Sequence, residues 1–165
     1  MKIIDKQYNI VFFLAFFIVV MTSCSLETYT TRKNDANYEI LSYLADNKID
    51  VNPTASGLVY IPIEEGEGEM PQLGDKVAFH YKGYYLNGEV FDSSYDKSYP
   101  LIVELGNGMI INGLEEALLL MNKGAKAKVI IPFYLAYNDL EYAPVSPYSN
   151  LIFELEMVDF IKVTQ

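Results

Sequence analysis

The chain has 165 residues, 51% of them hydrophobic, with 12 basic against 22 acidic residues and a net charge of -10. That length fits one main domain, and the acidity argues against nucleic-acid binding, which needs a positive footprint for the phosphates. The lone Cys excludes an internal disulfide, and the lone His excludes a poly-His metal site.

Residues 1–23 have the pattern of an export signal. Lys2 and Lys6 make the start basic, and Ile10 to Met21 is an unbroken apolar run of twelve residues. Twelve helical residues rise roughly 18 Å, short of a bilayer core of about 30 Å, so the run fits a signal-peptide core. It ends in Met21-Thr22-Ser23-Cys24. Small residues before a Cys resemble the lipobox of bacterial lipoproteins, although Met21 stands where Leu is commonest. The resemblance implies cleavage before Cys24, a lipid on Cys24 and membrane attachment through it. A plain signal peptide or an uncleaved anchor is the alternative. By analogy with one sorting rule, Ser25 points to the outer membrane of a Gram-negative cell envelope.

Residues 24–34 are polar and aperiodic and read as a tether. Residues 35–55 hold a short amphipathic helix and a linker. Ile40, Leu41 and Leu44 share one face, and Asn47 to Pro53 ends it. This helix is expected to cover one edge of the domain; a dimerisation helix is the alternative, too short for a long coiled coil.

Residues 56–165 form the domain proper. Gly57 to Ile63 reads as a strand near an edge, because Pro62 cannot donate to a ladder. Glu64 to Gly74 is an acidic loop. Lys76 to Tyr85 is a strand with Val77, Phe79 and Tyr81 on one face. Asn87-Gly88 is a two-residue hairpin signal, Glu89 to Phe91 returns from it, and Asp92-Ser93-Ser94 starts a polar bulge. Leu101, Val103 and Leu105 alternate as a further strand. Asn112 is placed to cap a helix with Glu115 three residues on, the spacing of a capping box. Leu114, Ala117, Leu118 and Met121 then share a face, and Lys123-Gly124 closes the helix. Ala127, Val129 and Ile131 alternate in a strand ended by Pro132. Phe133 to Asn150 is an aromatic loop, and Leu151, Phe153, Leu155 and Met157 are the inward phase of a last strand. The expected class is α+β: a mostly antiparallel sheet of five or six strands wrapped around one short central helix, preceded by a short N-terminal helix.

If the sheet wraps the helix, Tyr81, Leu101, Val103, Ile110, Ile111, Leu114, Tyr137 and Phe153 converge on a dry cup with few polar groups, Asp92 among them. Taken alone, Leu101, Val103 and Leu114 read first as core. His80 is out of phase with Tyr81, so no Ser/His/Asp set points inward, and metal-ligand spacing is absent. Chemistry in such a cup has to proceed without nucleophile, base, metal or cofactor.

Phe79-His80-Tyr81-Lys82-Gly83, Asn87-Gly88, Phe91-Asp92-Ser93-Ser94, Leu105-Gly106, Ile110-Ile111, Gly113-Leu114-Glu115-Glu116-Ala117, Ala136-Tyr137 and Leu151-Ile152-Phe153 resemble the signature of FKBP-type peptidyl-prolyl isomerases in order and spacing. The similarity covers about residues 57–161. It implies an antiparallel sheet around one helix, isomerisation of X–Pro bonds and proline-containing polypeptides as partners. By the same resemblance, Tyr81, Asp92, Ile111 and Tyr137 act on the substrate, Ile111 through its N–H and Tyr137 through its hydroxyl. Phe91, Leu101, Val103, Ile110, Leu114 and Phe153 form the apolar pocket. The best-known members have Trp where Leu114 stands, and a frequent Arg partner of the Asp is Lys97 here. The stretch from Asn138 to Tyr148 lacks the family's glycines. An exported isomerase that assists folding is the first functional expectation. A chaperone-like proline- or peptide-binding lipoprotein with weak or lost activity is the second.

Overall fold

The computed structural model describes residues 28–142 and 144–163, and its larger compact unit is Ala36–Gln165. The signal peptide and Cys24 lie outside the described residues. Helix α1 covers residues 28–46, and helix α2 is Asn112–Leu118. The strands are β1 (Val59–Glu64), β2 (Lys76–Tyr85), β3 (Val90–Ser93), β4 (Leu101–Glu104), β5 (Lys126–Ile131) and β6 (Leu151–Ile161). They form one antiparallel sheet in the order β1-β5-β6-β2-β3, with β4 also on β2.

The topology explains the polar interruption at Asp92-Ser93-Ser94. β3 pairs with Lys82–Tyr84 of β2, and β4 pairs with Lys76–Phe79. The two are halves of one edge, separated by a 3-10 turn at Ser94–Lys97 that Ser93 caps by accepting from the Tyr95 N–H. The chain leaves the sheet after Ser93 and returns at Leu101, which puts Asp92 and Leu101 on either side of the gap.

The inward phases are buried as their alternation predicts. Val77 and Phe79 of β2, Val129 and Ile131 of β5, and Leu155 and Met157 of β6 belong to one core with Ala117 and Leu118 of α2. Helix and sheet approach closely at Gly113, where an added Cβ would lie 2.3 Å from Ile131 Cγ2. The opposite phase is apolar at Val59, Ile130 and Ile152, and these pack with Ile40 and Leu44 of α1. Helix α1 therefore covers the outer face of β1, β5 and β6 and not an edge. Burying two such side chains contributes about 3–6 kcal/mol, enough to dock a short helix.

Three local expectations are corrected. Residues 28–34, expected as a tether, are helical. Residues 28–46 contain neither Gly nor Pro, so a helix anchored at Ile40 and Leu44 extends back at little cost, and residues 28–35 are all exposed, which explains their lack of period. The N-cap of α2 is Ile111, extended at φ -63° and ψ 147°, and no side chain caps the helix. Asn112 is already helical, so the capping box does not form. The Leu114 and Glu115 N–H groups turn instead to the Ile111 carbonyl at 3.0 and 3.1 Å. Finally, α2 ends at Leu118. Lys123 pairs with Asp159 at 3.0 Å and the Gly124 N–H donates to Met157 O at 2.8 Å, so Lys123-Gly124 leads into β5.

Candidate active site

At the N-terminal end of α2 the sheet opens into a cleft of about 470 Å³. Each wall comes from a different element. β2 supplies Tyr81, β3 supplies Phe91 and Asp92, β4 supplies Leu101 and β6 supplies Phe153. Leu114 of α2 is the floor, Ile110 and Ile111 form the rim before the helix, and Tyr137 closes the far side. Val103 is the exception. It pairs with Val77 farther along β4, is buried in the core, and does not line the cleft.

The aromatic walls touch one another. Phe91 meets Phe153 edge-on at 5.5 Å, and Tyr81 lies 6.1 Å from Phe153, distances at which such pairs add stability beyond their burial. Gly83 makes room for this: a Cβ there would lie 2.6 Å from the Phe91 ring and 3.0 Å from that of Phe153.

The polar groups are few and held in place. The Tyr81 hydroxyl donates to Asp92 Oδ2 at 2.7 Å, and the Ser93 N–H donates to Oδ1 at 2.9 Å, so both carboxylate oxygens are oriented. Behind Tyr81, buried Ser94 accepts from the Tyr81 N–H at 2.9 Å and lies 3.0 Å from His80 Nδ1. His80 stacks on Tyr95 at 4.6 Å, outside the cleft. Burial, then the bond to Asp92 and its charge, push the Tyr81 hydroxyl well above its ordinary pKa. Burial does the same to Tyr137, reinforced by Tyr142 and Asp92. Both stay protonated donors near neutral pH. Among the described residues, the Ile111 N–H and the Tyr137 hydroxyl have no hydrogen-bond partner. Both residues line the cleft, which thus combines apolar walls with two unpartnered donors and one fixed carboxylate. No group of three His, Cys, Asp or Glu side chains among the described residues could hold a metal ion.

Met109, Leu140 and Tyr142 also line the cleft and were not expected. Tyr142 stacks flat on Tyr137, with ring centroids 4.6 Å apart and planes 8° apart. Its segment is fixed by a bridge to Val145, and the Tyr85 hydroxyl donates to Pro144 O at 2.7 Å. The aromatic content of the loop was the one signal for this wall.

Residues 67–158 match the family model described as FKBP-type peptidyl-prolyl cis-trans isomerase. The chain belongs to this family. The FKBP domain is 38% identical over 109 residues to the FKBP-type peptidyl-prolyl cis-trans isomerase FkpA of Escherichia coli K12, a match covering 66% of this chain and 40% of FkpA. It is 40% identical over 126 residues to the FKBP-type 22 kDa peptidyl-prolyl cis-trans isomerase of the same strain, covering 74% of this chain and 60% of that protein. The match thus spans less than two thirds of either relative. The crystal structure of FkpA from Escherichia coli superposes with a TM-score of 0.68 at 31% identity, over 92% of this chain and 71% of that one. That of AtFKBP13 gives 0.62 at 30% identity, over 67% of this chain and 98% of that one. The six-stranded antiparallel sheet with its two helices is the fold of these FKBP structures.

Proposed function

We propose that this protein is a peptidyl-prolyl cis-trans isomerase that assists the folding of exported polypeptides at a bacterial cell envelope. The observation that carries the proposal is the pairing of two unpartnered donors, the Ile111 N–H and the Tyr137 hydroxyl, with an apolar cleft floored by Leu114. A proline ring rests on Leu114 between the Phe91–Phe153 pair and Tyr137. The Ile111 N–H holds one substrate carbonyl, Tyr137 binds another, and Asp92, held by Tyr81, faces the carbonyl that twists.

Twisting the amide loses resonance, a barrier of about 18–20 kcal/mol. The twisted amide is less polar than the planar one, so a dry cup favours it over the ground state. No covalent bond breaks, and the reaction calls on no nucleophile, metal or cofactor.

The envelope address and a lipid on Cys24 rest on the charged start, the apolar run and the lipobox-like end of residues 1–24. Labelled palmitate incorporated into the wild type and lost with Cys24→Ala supports that address; equal labelling of both overturns it.

A second reading, a proline-binding chaperone with weak isomerase activity, is favoured by the small floor that Leu114 provides. Proline-limited refolding of a client separates the two. The enzyme reading expects a catalysed slow phase at substoichiometric protein. The second expects suppression of aggregation with an unchanged slow phase.

A further inference from the structure

The stretch that carries Tyr137 and Tyr142 leaves the sheet at Phe133 and rejoins it at Asn150. These two stems meet. The Phe133 N–H donates to Asn150 Oδ1 at 3.0 Å, in a buried bond between residues seventeen apart. The other end of the same amide turns to the opposite face of the sheet. Asn150 Nδ2 donates to Ala36 O at 3.2 Å and to Glu39 Oε2 at 2.6 Å, both on α1. Next to it, the Tyr134 hydroxyl donates to Asn37 Oδ1 at 2.7 Å. One turn of α1 therefore holds both ends of the loop.

From that base, hydrogen bonds run up to the cleft. Phe133 O accepts from the Asn138 N–H at 2.9 Å, and Asn138 O accepts from the Tyr148 N–H at 2.7 Å. Tyr137 sits inside this ladder, one residue before Asn138. The aromatic pair Phe133–Tyr148, 5.3 Å apart, packs across the same stems. Asn150 is 5% exposed, its amide oxygen is used, and its nitrogen has two acceptors. Docking of α1 on the sheet needs only the apolar contacts of Ile40 and Leu44. A buried amide aimed at the loop stem is an addition that packing does not require.

We propose that α1 is a positioning element for the active site, acting through Asn150 and Tyr134 to set the orientation of Tyr137. This rests on the isomerase reading for its effect on rate, but not for its effect on the ring. Asn150, Asn37 and Glu39 are positioning residues, since none touches the cleft.

The test uses the full chain with Asn37→Ala and Glu39→Ala together, which removes both helix side-chain acceptors, leaves only the longer Asn150 contact to Ala36 O, and keeps Asn150 and the loop intact. Losing hydrogen bonds of this kind should lower kcat/KM on a prolyl peptide by about three- to tenfold. In a Tyr137→Phe background the same pair should change it less than about twofold, because the positioned hydroxyl is gone. Asn150→Asp should act like the helix variants, and adding Glu39→Gln should restore part of the loss, because donor and acceptor reverse at residue 39 but not at the Ala36 carbonyl. A second arm reads the ring directly: the Tyr137 resonances should shift in the helix variant while those of Tyr95, on the far edge, stay in place. Equal losses with and without Tyr137→Phe, or Tyr137 resonances unchanged in the folded variant, overturn the proposal. If the wild type shows no isomerase rate, the enzyme reading fails and the Tyr137 resonances still decide this one.

Discussion

Gly113→Ala sets two physical effects against each other at one atom. Alanine is worth up to about 1 kcal/mol more than glycine within a helix, and Gly113 is in the first turn of α2. The new methyl, however, would lie 2.3 Å from Ile131 Cγ2 and 3.1 Å from both Cγ1 and Cδ1. Carbon contacts are comfortable at about 3.5–4.0 Å, so the deficit exceeds about 1 Å. Ile131 is fully buried and cannot turn away. Overpacking of this kind costs about 1–3 kcal/mol, so a net loss of up to about 2 kcal/mol is expected after the propensity gain. Relief comes by lifting α2, which carries Leu114 and follows directly on its N-cap Ile111. A displacement near 1 Å at a positioning element can cost as much as about 100-fold in rate, so kcat/KM should fall further than stability. Urea unfolding and a prolyl peptide assay measure the two. Ile131→Ala removes all three contacted carbons. Alone it should cost about 2–5 kcal/mol, but combined with Gly113→Ala the losses should fall short of their sum by about 1 kcal/mol or more. A Gly113→Ala protein that is more stable than the wild type, or strictly additive losses, would refute the close-approach argument.

Two further outcomes are expected. Leu114→Trp should enlarge the apolar floor; about 40–60 Å² of added contact at about 25 cal/mol/Å² is about 1–1.5 kcal/mol, or roughly a five- to tenfold rise in kcat/KM. A folded variant with unchanged or lower kcat/KM contradicts Leu114 as the floor. The second concerns alkaline pH. Burial, and then a hydrogen bond to Glu154, push Tyr84 up from 10.0 to about 12. The folded state therefore holds this proton more tightly than the unfolded one. The stabilisation is complete below pH 10 and is lost as pH rises towards about 12. The urea midpoint should fall across that window, less steeply in Tyr84→Phe; equal slopes would sink the assignment.

The sheet was legible because its signals are local. Alternation in β2 and β6 and the Asn87-Gly88 turn each follow from period and backbone chemistry, and β2 runs Lys76–Tyr85 as expected. The second covered face was legible too, but only in hindsight. Val129-Ile130-Ile131 and Leu151-Ile152-Phe153 are apolar in both phases, the mark of strands buried on two sides, and Ile130 and Ile152 pack with α1. What escaped was decided by tertiary context. Asn112 has a good capping side chain, yet the chain enters α2 through an extended Ile111. Val103 shares a phase with Leu101, but the cleft ends before it. Tyr142 lies in an irregular loop, where no periodicity links it to Tyr137, and its stacking emerges only once the loop is folded.

The most direct measurement is the rate of cis–trans isomerisation of a prolyl peptide by the wild type, Asp92→Ala and Tyr137→Phe, with folding of each checked by circular dichroism. The wild type should exceed the uncatalysed rate in proportion to its concentration. Asp92→Ala should lose the most, because it also strands the Tyr81 hydroxyl, and Tyr137→Phe should lose about three- to tenfold for one hydrogen bond. A wild-type rate at background, or a catalysed rate that neither substitution changes, would contradict the assignment of this cleft as an isomerase site.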